Sequence, residues 1–296
     1  MSKKRIFTGA ATAVITPLRN NEIDYKSYAD FLEFQIKNKI DAIVVCGTTG
    51  EASTLTDDEH KKMIDFTVEK INGRVKVIAG AGSNDTAYAI EMTKYAEKSG
   101  ADAILHATPY YNKATQKGLI RHFNVIADSV NTPIIVYNVP ARTALNILPE
   151  TYAELAKHEN IVATKEANGD IKSVIQTRML CGDNLDIYSG EDGNIVPILA
   201  MGGAGVISVI SNILPKETHD MCELYLTGKV KESADLQIKY MDLIDALFCE
   251  VSPVPVKAAL AMMGLDSGEA RLPLIEMDEK NKGLLEAVMK KHGIIK

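Results

Sequence analysis

The sequence predicts an α/β protein, a (β/α)8 TIM barrel followed by a C-terminal helical extension. Three observations point there. Eight short runs rich in β-branched or small apolar residues recur along the 296 residues, starting 19 to 34 residues apart. Amphipathic segments with helix signals lie between them, and such alternation is the signature of a parallel barrel. Finally, the first run is followed by "ITPLRNNEIDY", without the glycine-rich loop that an open doubly wound sheet places there.

The runs are "TAVITPL" (12–18), "AIVVCG" (42–47), "KVIAGAG" (76–82), "AILHATP" (103–109), "IIVYNVP" (134–140), "IVATKEA" (161–167), "DIYSGE" (186–191) and "GVISV" (205–209). Most are flanked by Gly or Pro, which punctuate strands. Between them, Thr56 and Glu59 stand at capping-box spacing ahead of Ile64, Val68 and Ile71 on one helical face. Pro149 suits a first helical turn, and Gly100 suits a helix stop. The pattern assigns a catalytic barrel to residues 1–225 and a helical segment to 226–296, where "KESADLQIKYMDLIDALFCE", "PVKAALAMMG" and "DEKNKGLLEAVMKKHG" are helix-forming. The opening "MSKKRIFTGAATAVITPL" mimics a secretory leader, but Thr8, Gly9, Thr12 and Thr16 dilute its apolar run, so a first strand is expected there.

Composition narrows the function classes. With 46% hydrophobic and 24% charged residues the chain has the make-up of a globular protein. A net charge of −6 without a long basic run argues against a nucleic-acid partner, and no run reaches membrane-span length. Cys46, Cys181, Cys222 and Cys249 are scattered, as expected of reduced thiols in a cytoplasmic protein. The six histidines show no H-x-H or H-E-x-x-H spacing, so no metal is expected. Gly80–Gly82 and Gly202–Gly205 do not make a dinucleotide fingerprint, so no nucleotide cofactor is expected either.

Barrel enzymes carry their chemistry at the C-terminal strand ends. The sixth run ends in Lys165. Strict alternation puts Ile161, Ala163 and Lys165 on one face; if that face is the lumen, burial disfavours the ammonium and lowers its pKa. A drop of about three units corresponds to about 4 kcal/mol and leaves a neutral amine able to condense with a carbonyl. The ordinary alternative is a lysine paired with Glu166. In the fifth run Tyr137 stands at nearly the same depth, on a strand about 4.8 Å away, where a phenol can exchange protons with a carbinolamine. Arg142, five residues on, is placed to grip a carboxylate. After the second run, Gly47 and Gly50 allow a turn whose amides converge on a small anion, with Thr48 and Thr49 adding hydroxyls. Tyr110 and Tyr111, after the fourth run, have the look of an interface pair.

Together, "GTTGE" (47–51), "PYYN" (109–112), "YNVPART" (137–143) and "KEA" (165–167), in that order, resemble the dihydrodipicolinate synthase / N-acetylneuraminate lyase family. The resemblance continues through "GVISV" and "PVPVKAAL" (253–260), and "GTTGE" with "YNVPART" is similar to its synthase branch. It implies a class I aldolase-type reaction without metal or nucleotide, with pyruvate and L-aspartate 4-semialdehyde as substrates. Lys165 would form the Schiff base and Tyr137 would move the proton, linked through Thr48 to Tyr111 of a neighbouring subunit. Thr49 and the turn's backbone would hold the pyruvate carboxylate, with the main chain of Ile207 closing the pocket near Gly190. Arg142 would receive the second substrate. A homotetramer built from dimers is implied.

Many family members are inhibited by lysine at an interface cleft, which the resemblance maps onto Ala52, Ser53, Asp57, His60, Asn84, Tyr88 and Tyr110. Here Tyr88 stands where sensitive enzymes have a glutamate and Asp57 where they have a histidine, so weak or absent inhibition by lysine is expected. Two rivals remain: an N-acetylneuraminate or 2-keto-3-deoxy sugar acid lyase on the same barrel, against which Arg142 argues, and a keto-acid-binding sensor without turnover.

Overall fold

The structure, a computed structural model, describes Lys3 and residues 5–296. Among the described residues ten strands form: β1 (Gly9–Ala13), β2 (Leu18–Arg19), β3 (Glu22–Ile23), β4 (Ala42–Val45), β5 (Lys76–Gly80), β6 (Ala103–Ala107), β7 (Ile134–Asn138), β8 (Ile161–Glu166), β9 (Asp186–Ser189) and β10 (Gly205–Ser208). β2 and β3 pair as a small antiparallel hairpin. The other eight close into a parallel barrel in the order β1-β4-β5-β6-β7-β8-β9-β10 and back to β1. The predicted (β/α)8 barrel with C-terminal helices is therefore the observed fold.

Both faces of the barrel strands are buried, which is why the sequence shows apolar runs there rather than alternation with polar residues. Ala11, Val44, Ile78, Leu105, Ile135, Ala163 and Ile207 pack in the lumen. Ile43, Val45, Ile104, Ile134 and Val206 face the opposite way, with Ile64 and Ile71 from the surrounding helices. The helix Asp57–Ile71 carries the reciprocal Thr56–Glu59 capping box. The helix Thr86–Ser99 ends at Gly100, whose φ of +89° is readily adopted without a side chain. Pro149 opens the helix Pro149–Leu155. After the helix Pro215–Leu226, the chain continues through helices Val230–Lys239, Met241–Leu247, Val254–Met262 and Glu279–Lys291. No described helix is long and apolar enough to cross a membrane.

Two local expectations are corrected. The first strand lies at 9–13 and not 12–18, because beyond Ala13 the Asn212 side chain replaces a neighbouring strand. Its Nδ2 donates to the Ala13 carbonyl at 2.9 Å and its Oδ1 accepts from Ile15 N–H at 3.3 Å. On β8, Ile161 does not share a face with Lys165. The register slips by one residue between Ile134 and Ile135, so that Ile134 pairs with Ile161 but Ile135 with Ala163. A bulge of this kind reverses side-chain phase. Ile161 joins the outer cluster, while Ala163 and Lys165 take the inner face.

The start of β8 is fastened from the N-terminus. The Lys3 ammonium donates to the carbonyls of Ala156, His158 and Ile161 at 2.6, 2.7 and 2.6 Å, one proton to each. Hydrogen bonds to a charged group are among the stronger ones. Lys3→Met is expected to lower stability by about 1–3 kcal/mol, read as a reduced urea midpoint with unchanged slope.

Candidate active site

The site forms where strand ends meet one cavity of about 530 Å³. Thr48, Tyr137, Arg142 and Lys165 all line it. The order of the barrel explains the central pair: β7 and β8 are neighbours, and their register sets Tyr137 directly opposite Lys165. The Lys165 Nζ lies 4.2 Å from the centre of the Tyr137 ring.

Lys165 is only 6% exposed. No carboxylate lies within ion-pair distance of its amine among the described residues. Glu166, the alternative partner, projects to the other side of β8. There it accepts from Asn138 Nδ2 at 3.0 and 3.2 Å, from the Tyr152 hydroxyl at 2.8 Å and from Asn168 N–H at 2.9 Å. Burial is thus the dominant influence on the amine. Desolvation pulls the Lys165 pKa down to about 8, with Asp192 opposing and Arg142 assisting. At pH 7.5 that leaves about a quarter of the amine neutral, against about one part in a thousand for an ordinary lysine.

Tyr137 is held protonated. Burial pushes its phenol up to about 12, partly offset by the Arg142 charge. Arg142 sits in a helical turn, Pro140–Thr143, and Pro140 supplies the first helical position. Its side chain remains accessible, and one Nη2 donates to the Ser252 carbonyl at 3.2 Å.

The turn after β4 is a tight fold of its own backbone. Gly50 N–H and Ala52 N–H both donate to the Gly47 carbonyl, at 3.1 and 3.4 Å. Among the described residues, the Thr48 and Thr49 amides make no backbone hydrogen bond, which leaves two adjacent donors for an anion. Thr49 is buried and does not line the cavity; the exposed Thr48 does. Gly190 lies behind Lys165: a Cβ there would stand 3.0 Å from Lys165 Cγ and 2.8 Å from Ala167 Cβ. Ile207 is buried in the lumen on β10 without reaching the cavity wall. Tyr111 lies apart from the cluster. It is 93% exposed with φ +68°, a conformation costly for a bulky residue and typical of functional positions.

The cleft residues share this same cavity. Ala52, Ser53, Asp57, His60, Tyr88 and Tyr110 line it, while Asn84 does not and donates to the Tyr110 carbonyl at 3.1 Å. The two departures satisfy each other: the Tyr88 hydroxyl donates to Asp57 Oδ1 at 2.7 Å. His60 Nε2 bonds the Gly80 carbonyl at 2.7 Å.

Two functional-looking features escaped the sequence reading. Asp192, buried near Lys165, accepts from the amides of Val209 and Ile210 at 3.0 and 2.8 Å, and its other oxygen has no partner. Its signal was a carboxylate two residues past a glycine at a strand end. His219, Asp220 and Glu223 gather ligand-type atoms within 4.8 Å of one another. The imidazole is already engaged on both sides, by Asp41 at 2.8 Å and Glu223 at 3.2 Å, so this group is poorly disposed to hold a metal.

With the geometry in view, comparison with known proteins is decisive. Residues 6–292 match the Dihydrodipicolinate synthetase family. The chain belongs to that family. The 4-hydroxy-tetrahydrodipicolinate synthase of Acetivibrio thermocellus is 54% identical over 293 residues, covering 99% of this chain and all of that protein. Among solved structures, dihydrodipicolinate synthase from Thermotoga maritima is 42% identical, with a TM-score of 0.96 and 98% of this chain and all of that one covered. The chloride-inhibited Acinetobacter baumannii enzyme, crystallised with pyruvate, is 40% identical, also with a TM-score of 0.96 and with 98% and 100% coverage.

Because Gly190 leaves the space that the Lys165 stem occupies, Gly190→Ala is expected to cut turnover by about a hundredfold. Circular dichroism on the same protein should show the barrel intact.

Proposed function

We propose that the chain condenses pyruvate with L-aspartate 4-semialdehyde, the lyase reaction of 4-hydroxy-tetrahydrodipicolinate synthase in lysine and diaminopimelate biosynthesis. The observation that carries this reading is the buried, unpaired Lys165 amine facing Tyr137, with Arg142 on the wall of the same cavity. Family membership and relatives of matching length support it.

Neutral Lys165 attacks the pyruvate carbonyl carbon to give a carbinolamine, whose hydroxyl leaves as water once protonated. Tyr137, a protonated acid at neutral pH, supplies that proton. The free Thr48 and Thr49 amides donate to the pyruvate carboxylate, with the Ile207 and Gly190 main chains backing the pocket from behind its wall. The Tyr137 phenolate takes a methyl proton from the iminium to give the enamine, whose carbon attacks the aldehyde of the second substrate as the phenol returns that proton to the new alkoxide. Arg142 binds that substrate's carboxylate bidentately. The substrate amine then adds to the imine carbon, closing the ring and expelling Lys165. The scheme needs no metal or nucleotide.

Thr48 connects Tyr137 to Tyr111 of a neighbouring subunit, completing a proton relay. The exposed ring and strained backbone of Tyr111 support a partner-facing role, and a homotetramer made from two such dimers follows. Residues 1–225 serve as the catalytic barrel and 226–296 as its support. The four free thiols agree with a cytoplasmic enzyme. The Tyr88–Asp57 bond occupies the place where a lysine amine would need an unengaged carboxylate, so feedback by lysine is weak or absent.

Borohydride reduction in the presence of pyruvate should fix a pyruvyl adduct on Lys165, mapped by peptide mass spectrometry; an unmodified Lys165 peptide defeats the scheme. Assays with aspartate semialdehyde, N-acetylmannosamine and sugar aldehydes should give turnover with the first alone. Tyr137→Phe should lower kcat by about 10²–10³ while pyruvate still binds. Lysine titrated into the assay should leave the rate nearly unchanged below millimolar concentration, and steep inhibition there would overturn the cleft reading.

A further inference from the structure

The glutamate that ends "GTTGE" has no part in the chemistry above, and neither does the lysine of "PVPVKAAL". The structure joins them. Glu51 and Lys257 form an ion pair with both side chains almost wholly buried. Glu51 occupies the left-handed region at φ +56°, immediately after the turn that presents the Thr48 and Thr49 amides. Its second carboxylate oxygen accepts from the Arg271 N–H at 2.9 Å. Lys257, from the helix Val254–Met262, also donates to the Glu269 carbonyl at 2.6 Å.

These contacts belong to a strap. Glu269 N–H donates to the Leu18 carbonyl at 2.9 Å, and Gly268 bridges to Leu18, so the segment is laid onto β2. Arg271 reaches the Thr54 carbonyl at 2.6 Å and Glu59 at 2.8 and 2.9 Å, at the capping box of the helix that follows the turn. From the other side, the Thr16 hydroxyl holds the Gly50 carbonyl at 2.7 Å. The turn is thus fixed at its base by groups from the C-terminal segment, while its Thr48 and Thr49 amides keep no backbone partner.

We propose that the Glu51–Lys257 pair is a positioning device that sets the anion-binding turn, so that the C-terminal segment governs affinity for the keto acid. The physical reason is the cost of a lone buried charge. Removing one partner of a buried pair leaves the other uncompensated, and the structure relaxes to reach water. The element that must move is a turn already held in a left-handed conformation. Convergent amides lose their anion when displaced by a fraction of an ångström, whereas Lys165 and Tyr137, on β8 and β7, stay in place.

The inference rests on the reading that this turn holds the pyruvate carboxylate, and the test separates the two. The pyruvate concentration giving half-maximal borohydride trapping on Lys165 is measured in the full chain, with the plateau and the KM for aspartate semialdehyde. Lys257→Met should raise half-saturation by about tenfold or more, leaving the plateau and the semialdehyde KM within about twofold. Glu51→Gln keeps the shape but has a single acceptor oxygen, so it can serve only one of Lys257 and the Arg271 N–H and loses the charge that Lys257 faces; it should raise half-saturation by about three- to tenfold. It carries the test alone if Lys257→Met fails to fold. Folded variants with unchanged half-saturation, or with both substrate constants raised alike, overturn the positioning role and leave the proposed function standing. Wild-type protein that is not trapped at all instead brings down the function reading beneath it.

Discussion

The site depends on keeping one amine out of water without giving it a counter-ion. Lys165 is buried on β8 beside a phenol, and the nearest carboxylate in sequence, Glu166, is drawn to the opposite side by Asn138, Tyr152 and Asn168. Were Glu166 on the same side, the pair would hold the lysine as an ammonium, which cannot attack a carbonyl. Instead Glu166 carries its own penalty, with a pKa raised to about 7 by burial, inside a hydrogen-bonded network. The two neighbouring ionisable groups are separated by the simple geometry of a strand.

Around that amine the barrel distributes the remaining tasks to different strand ends. β7 brings Tyr137, and the helical turn after it brings Arg142. The turn after β4 brings two free amides. The turn after β4 lies about 90 residues before β7, and the pairing of β7 with β8 places Tyr137 directly opposite Lys165. The helices after the barrel add support at two of these points, through Ser252 on Arg142 and through Lys257 on Glu51.

Much of this was legible in the chain, for physical reasons that differ by residue. Strand runs showed because a barrel strand is buried on both faces, and the Thr56–Glu59 box showed because capping is local. Lys165 stood out because a lysine closing an apolar run is costly unless used. The phase of β8 was not legible: the bulge that turns Ile161 outward is decided by pairing with β7, not by the run itself. The extent of β1 was missed for the same reason, since Asn212 substitutes for a strand from about 200 residues away. Asp192 and the Glu51–Lys257 pair likewise depend on long-range contacts that no spacing rule carries.

The central claim is that burial lowers this amine's pKa until an appreciable fraction is neutral near physiological pH, and titrating it tests that claim directly. With ε-13C-lysine incorporated and Lys165 assigned by its loss in Lys165→Arg, NMR across pH 6 to 11 should show one lysine resonance with a midpoint at about 8. A Lys165 resonance titrating near 10.5, the ordinary value for a lysine, would contradict the account.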